Sequence, residues 1–526
     1  MTNTSILTLD SVALALPDGR QLFTDITGSF DLRRTGLVGR NGVGKSLLAQ
    51  ILAGLREPSS GRCLSHGRVH YLPQQLFNRD TTLAALAQVS EVLTALQRIE
   101  AGSADPEDFE AVGERWDIRE QLRTQLDRHG LAQIDLQRPA ASLSGGQAMR
   151  VALIGALLSQ ADYLILDEPS NHLDLDARRQ LVALLDEWDK GLLVISHDRD
   201  LLGHLQRIVE LTPQGLHSYG GDYAFYAQAK AEQQQRAQHD LSRLQLERQR
   251  QQRDLQQQRE NLERHHARAG RHAKQANQAK ILLDRQQQRS QATAGKQRRD
   301  QGAAREALSD QLRQAASQVE QASPVILHAP TSQRHPGREV LALHDLQLPR
   351  GEPAPLNLRL CSGERVALTG ANGAGKSTLL QVLCGAQPPA AGSFTLTGEA
   401  VLLDQHCSAL PAEQSTLAHL RQANPGLEQS ILRTRLAQLG LDALRIELPS
   451  AMLSGGERLK AALAAVLYRE RAVDLLLLDE PSNHLDLPSL DALERMLGAF
   501  RGGLLVVSHD VVFLGRLQLS GYLRLG

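Results

Sequence analysis

At 526 residues the chain is too long for one hydrophobic core, and roughly 150 residues per domain divides it into three or four units. Its formal net charge of −1 favours no partner globally, yet residues 230–320 carry 19 Lys and Arg against 11 Asp and Glu, leaving −9 elsewhere. That asymmetry points to a polyanion at one place. No uncharged apolar run reaches the roughly 18 residues of a membrane span, and Met1 to Ser5 has no basic start or long apolar segment. Cys63, Cys361, Cys384 and Cys407 form no C-x-x-C pair, which predicts reduced thiols in a cytosolic protein and no metal site built on them.

The chain opens with a weakly alternating run, Ile6 to Leu16, closed by Pro17-Asp18-Gly19, a strand and hairpin signal. The apolar Gly36-Leu37-Val38 then leads into Gly39-Arg40-Asn41-Gly42-Val43-Gly44-Lys45-Ser46, a match to G-x-x-x-x-G-K-[ST]. In such a loop the glycines let backbone N–H groups turn inward around a di- or triphosphate, the lysine charge sits on the outer phosphates, and the serine hydroxyl can ligate Mg²⁺. Leu47 to Leu55 reads as the following helix, so phosphate would meet a helix N-terminus. Next, Val69 to Gln75 is a short strand whose Gln74 could reach a metal-bound or attacking water, and Thr82 to Leu131 reads as mostly helical.

Leu143-Ser144-Gly145-Gly146-Gln147 opens another helix and offers a second anion cradle, able to contact a phosphate from the side opposite a phosphate loop. Tyr163 to Asp167 is an apolar strand that delivers Asp167, suited to Mg²⁺, and Glu168, suited to orienting a water. Neighbouring strand residues face opposite ways, although at a strand end both can reach one site. Leu192 to Ile195 is another strand, ending near His197. A lone histidine there reads as structural, but this one recurs.

The whole series repeats. Gly370-Ala371-Asn372-Gly373-Ala374-Gly375-Lys376-Ser377, with helix Thr378 to Cys384, is followed by Gln405, Ser454-Gly455-Gly456, Asp479-Glu480 and His509. Lys45 and Lys376 lie 331 positions apart, Asp167 and Asp479 lie 312, and His197 and His509 lie 312. About 20 extra residues precede the first Ser-Gly-Gly, around Ser103 to Glu120. Strands and helices in βα order imply a parallel sheet in each copy.

Glu168-Pro169-Ser170-Asn171-His172-Leu173-Asp174 and its second copy, Glu480 to Asp486, together with these motifs resemble the ABC-F branch of the ATP-binding cassette superfamily. The resemblance covers nearly the whole chain. It implies an α/β fold of two tandem P-loop cassettes joined by a long α-helical hairpin linker, with cassettes at 1–226 and 324–526 and linker at 227–323. It further implies a monomer whose cassettes pair intramolecularly and sandwich two ATP molecules with Mg²⁺. One site would use Lys45, Ser46, Gln74, Asp167, Glu168 and His197 with Ser454, Gly455 and Gly456. The other would use Lys376, Ser377, Gln405, Asp479, Glu480 and His509 with Ser144, Gly145 and Gly146. Where such cassettes usually place an aromatic residue on the adenine, this chain has Leu16 and Leu348.

Between the cassettes, Ala227 to Ala322 has no proline and abundant Gln, Arg, Ala and Glu, with Leu241, Leu244, Leu246, Leu255 and Leu262 as a sparse seam. Arg264 to Arg299 holds ten Lys and Arg, among them Arg264, Arg268, Arg271, Lys274 and Lys280, and one acid, Asp284. With almost no aromatic residue to stack bases, contact with an RNA phosphate backbone is the leading reading. The resemblance implies a linker that enters the ribosome and touches P-site tRNA and ribosomal RNA, coupling ATP state to translation and relieving stalled or antibiotic-blocked complexes. Two other classes stay open: an ATPase that grips branched or duplex DNA, and an ATPase subunit of a transporter with separate membrane subunits.

Overall fold

A computed structural model describes residues 6–273 and 306–525, except 18, 75–80, 132–133, 135–138, 172, 314, 317–336, 352, 405–406, 408–409, 440, 442, 469–472 and 484. The chain divides into two compact units, Met1–Tyr226 with Val325–Gly526, and Ala227–Pro324. The first unit contains both cassettes.

Each cassette is built on a mainly parallel sheet. In the first, the order is Val69–Leu72, Tyr163–Asp167, Gly191–Ile195, Arg34–Val38, Arg207–Thr212 and Gly215–Gly220, parallel except for the last pair. In the second, Ala400–Leu403, Leu475–Asp479, Gly503–Val507, Arg365–Gly370 and Gly521–Leu525 are parallel throughout. The central strands are near-continuous apolar runs. Every residue of Tyr163–Asp167 and Gly191–Ile195 is buried, as a parallel strand covered on both faces requires. A three-stranded antiparallel sheet caps one face of each: Gln21–Phe30, Leu7–Ala15 and Ser60–Ser65 in the first cassette, and Leu356–Cys361, Glu339–Gln347 and Ala391–Leu396 in the second. Helices cover the other face.

Both phosphate-loop helices begin earlier than the hydrophobic pattern suggests, at Lys45–Leu52 and Lys376–Leu383. Their N-caps, Gly44 and Gly375, both have φ of 102°, left-handed backbone open to glycine at little cost. The lysine and serine therefore occupy the first helical turn, beside the unpaired N–H groups that an anion would use. The extra residues of the first cassette form the helix Pro106–Val112, capped by Asp105, whose side chain accepts from the Glu107 N–H. Phe109 on that helix contacts Trp116 with ring centroids 6.1 Å apart, both half-exposed.

The second unit contains most of one helix, Tyr223–Ala273, 51 residues long, and residues 306–313 are helical again. At about 1.5 Å per residue the long helix spans roughly 75 Å. Gln228, Glu232 and Arg236 bond in i,i+4 steps along it, which supports an exposed helix where packing does not. Leu241 and Leu244 are half-buried, but Leu246 is exposed and is not part of their seam. At 100° per residue it lies about 200° around the helix from Leu244. Arg264 is helical and exposed, and Arg268 and Arg271 fall on the same helix. Lys274 and Lys280 lie outside the described residues, as do the turn of the expected hairpin and Gln405.

Gly155, in the helix Gly145–Leu158, faces the Ala87 carbonyl so closely that a Cβ would stand 2.1 Å from its oxygen. Gly155→Ala should therefore push that helix from its neighbour and cost roughly 1–3 kcal/mol, seen as a lower thermal unfolding midpoint of the full-length protein.

Candidate nucleotide sites between the cassettes

Two clusters of charged side chains gather at the C-terminal ends of the parallel strands, where open α/β sheets place their ligands. In the first, Lys45 is buried and its Nζ donates to the carbonyls of Gly39 at 2.8 Å and Arg40 at 3.3 Å. In the second, Lys376 Nζ donates to Gly370 at 2.7 Å and Ala371 at 3.0 Å. Burial lowers the affinity of both ammonium groups for their protons, against the pull of nearby carboxylates.

Behind each lysine stands a strand-end Asp-Glu pair. Asp167 and Asp479 are drawn upward in pKa by burial and held back chiefly by hydrogen bonds from Ser46 and Ser377. Tyr71 adds its hydroxyl to Asp167 Oδ2 at 3.2 Å. The other oxygen, Asp167 Oδ1, is buried with no partner among the described residues. A hard cation would satisfy it. Alternation along the strand would turn the next residue away, but Glu168 and Glu480 adopt φ of 50° and 47°. That left-handed turn, uncommon outside glycine, brings both carboxylates to the site. Each glutamate N–H bonds to the neighbouring strand, at Ile195 (2.8 Å) and Val507 (2.9 Å).

The histidines stand directly over these glutamates. Nε2 of His197 is 3.6 Å from Glu168 Oε1, and Nε2 of His509 is 3.5 Å from Glu480 Oε1. Burial raises the pKa of both glutamates, Glu480 to about 7, and depresses both histidines, His509 to about 4. Both nitrogens of His197 and Glu480 Oε1 are buried without hydrogen-bond partners among the described residues. Unpaired buried polar atoms are costly unless something else arrives to bond them.

Each cluster is completed from across the interface between cassettes. The Asn41 N–H of the first phosphate loop donates to Asp486 Oδ2 at 2.9 Å, while Asp486 Oδ1 caps its own helix through Ser489. Lys460, on the helix Gly455–Leu467 that opens with Ser454-Gly455-Gly456, feels the charges of Asp486 and Arg40. Leu487 packs into the first cassette's core. On the second side, a cavity of about 340 Å³ is walled by Lys376, Ser377, Asp479, Glu480 and His509 and by Leu173 and Arg178 of the first cassette. Ser144 and Gly146 do not line it. Ser144 and Ser454 instead each close a capping box, with Gln147 and Glu457.

Three contributors were not foreseen from sequence: Arg178, Tyr71 and Arg350. Gln74 is exposed at the end of its strand. Leu348 is buried beneath the loop, where a Cβ on Gly375 would meet its Cδ1 at 2.9 Å, so it is a support and no open platform for a base. Arg350, two residues on, lines the cavity instead. Phe23 plays the supporting part under Gly44, with Cε1 2.9 Å from a Cβ there.

This is the geometry of a duplicated phosphate-loop site, and comparison with known proteins agrees. The ABC transporter family profile matches residues 30–171 and again 354–483. The tylosin resistance ATP-binding protein TlrC of Streptomyces fradiae is 32% identical over 521 residues, covering 91% of this chain and 89% of that one. ABC transporter F family member 3 of Arabidopsis thaliana is 30% identical over 385 residues, 70% of this chain and 48% of its own. The chain belongs to the ABC-F branch of the ATP-binding cassette proteins. Among solved structures, the archaeal ribosome recycling factor aABCE1, in complex with the ribosomal stalk protein aP1, shares the fold with a TM-score of 0.53. It is 19% identical, covering 96% of this chain and 86% of that one. No helix among the described residues is long and apolar enough to cross a membrane.

In this ABC-F chain the cassettes are pinned by a one-sided ion cluster. Arg199, fully buried, pairs with Glu494 and, at 2.7 Å, with Asp491, and Arg516 joins the same two carboxylates. Removing Glu494 takes away the buried partner and leaves the buried guanidinium with Asp491, which is half-exposed. Glu494→Ala should lower the stability of the full-length protein by about 3 kcal/mol in denaturant titration, and Arg199→Met with Glu494→Met should recover at least half of it.

Proposed function

We propose that this protein is an ATPase whose cassettes close on two ATP molecules and whose basic linker conveys that closure to ribosomal RNA and P-site tRNA, relieving stalled or antibiotic-blocked ribosomes. The observation that carries the ATPase reading is the repeated cluster of loop lysine, serine, strand-end Asp-Glu and histidine, faced by groups from the opposite cassette. The phosphate loops Gly39–Ser46 and Gly370–Ser377 cover one side of each nucleotide. The Ser-Gly-Gly helix of the partner cassette covers the other on closure. Contact with the γ-phosphate in the closed state alone is what biases open toward closed.

The donor set suits Mg²⁺, which would supply charge neutralisation on the outer phosphates. Ser46 with Asp167 and Gln74, and Ser377 with Asp479 and Gln405, would hold it. In each site the glutamate orients and accepts a proton from the attacking water, and the histidine above it holds the γ-phosphate. The lysine neutralises the charge that develops as the bond to the leaving phosphate breaks.

For the ribosome the support is the single-signed charge at Arg264, Arg268, Arg271, Lys274 and Lys280, a pattern fitted to phosphate backbone. The similarity to a tylosin resistance protein favours a role against antibiotic block. Glu168→Gln with Glu480→Gln should abolish ATP turnover and trap a closed form. In sucrose gradients of lysate with ATP, that variant should co-migrate with ribosomes, and removal of residues 264–299 should release it. Absence from ribosomes with retention on branched DNA would overturn the translation reading in favour of a DNA-associated ATPase.

A further inference from the structure

The two copies of the Asp-Glu segment continue into matching helices, Leu175–Glu187 and Leu487–Ala499, each capped by the aspartate before it, Asp174 or Asp486. From the second residue beyond those caps the copies diverge, and at the fourth a cation in one copy stands against an apolar residue in the other. The first has Arg178 and the second has Leu490. Leu490 is buried in the second cassette's own core. Arg178 reaches the other way and lines the cavity that holds Lys376, Glu480 and His509.

The guanidinium is held in place from behind. Its Nη1 donates to Asp198 Oδ2 at 2.7 Å and its Nε to the Leu173 carbonyl at 3.3 Å. Nη2 donates to nothing among the described residues. The side chain is only 15% exposed. A planar cation anchored through Nη1 and Nε, with Nη2 left to donate, is suited to a phosphate oxygen. Asp198 cannot be its whole purpose, because Asp198 already caps the helix Arg199–Gly203 through Oδ1. The matching residue, Asp510, caps its helix at Phe513 with Leu490 in the place of an arginine.

The electrostatics agree with this placement. Among the charges acting on Glu480, Arg178 outweighs even Lys376 of the same cassette. It also acts on His509 and Asp510. At the first site the leading charge on Glu168 is Lys45 of its own cassette, and the cross-interface charge felt by Lys45 and His197 is the carboxylate Asp486.

We propose that Arg178 is a positioning cation supplied in trans to the second nucleotide site, where it steadies the γ-phosphate and the water held by Glu480, and that the first site turns over without such a group. This rests on the ATPase reading of the same cavity. The two sites are then chemically unequal, and the inequality comes from the first cassette acting on the second.

The test uses the full-length protein with one site silenced at a time. In a Glu168→Gln background, where turnover comes from the second site, Arg178→Leu should lower kcat for ATP by roughly tenfold, with a smaller change in KM. Arg178→Lys, which keeps the charge and guards against a folding artefact, should recover part of it. In a Glu480→Gln background the same Arg178→Leu change should cost at least five times less. Equal losses at both sites would show that Arg178 merely holds the interface, and no loss at the second site would show that it does nothing there. Either result overturns the proposal while leaving the ATPase reading intact. A purified protein with no ATP turnover sensitive to Glu168→Gln and Glu480→Gln would overturn both.

Discussion

A buried ammonium ion is the constraint on which the rest of this structure depends. Lys45 and Lys376 are each 8% exposed and rest on backbone carbonyls of their own loops. Carbonyl dipoles meet part of the cost of burying a charge, but a full anion meets it better. The surrounding architecture concentrates on that deficit. Left-handed glycines let each helix start at the lysine, parallel strands deliver two carboxylates behind it, and the opposite cassette closes the remaining side. Neither cassette forms the whole enclosure alone.

Much of this was legible in the residues. The phosphate loops, the Asp-Glu strand ends and the recurring histidines are local signals with fixed chemistry, and the duplication made each of them stronger. Apolar runs such as Leu475 to Leu478 announced parallel strands because burial on both faces leaves no polar alternation. The helix starts were misplaced by two residues at Lys45 and Lys376, since a hydrophobic pattern cannot register a helical turn made of a lysine and a serine. Leu246 was misassigned to the linker seam because apolar identity was counted without its angle around the helix.

What the sequence hid is what depends on contact between distant segments. Arg178 looks like one more surface arginine on an amphipathic helix until the second cassette is placed against it. Its only local sign is a break in the repeat, Arg178 against Leu490. Arg350 at the cavity and Leu348 beneath the loop went unread for a similar reason. Which residue of the turn between strands Glu339–Gln347 and Leu356–Cys361 faces the cavity depends on how Gly351 packs against the phosphate loop, where a Cβ would lie 2.5 Å from the Ala374 carbonyl.

The ion cluster around Arg199 also works as an address. Its partners Asp491 and Glu494 occupy positions that in the first cassette are Arg179 and Val182, and Arg199 itself corresponds to Val511 in the second. Two first cassettes brought together in the same geometry would set arginine against arginine, and two second cassettes would set carboxylates against valine. Only the unlike pair gives Asp491 and Glu494 a buried arginine from across the interface. A duplicated domain that keeps nearly identical nucleotide motifs could otherwise assemble with copies of itself in neighbouring molecules. A few residues that differ between the copies, beside the repeated motifs, favour the partner within the same chain.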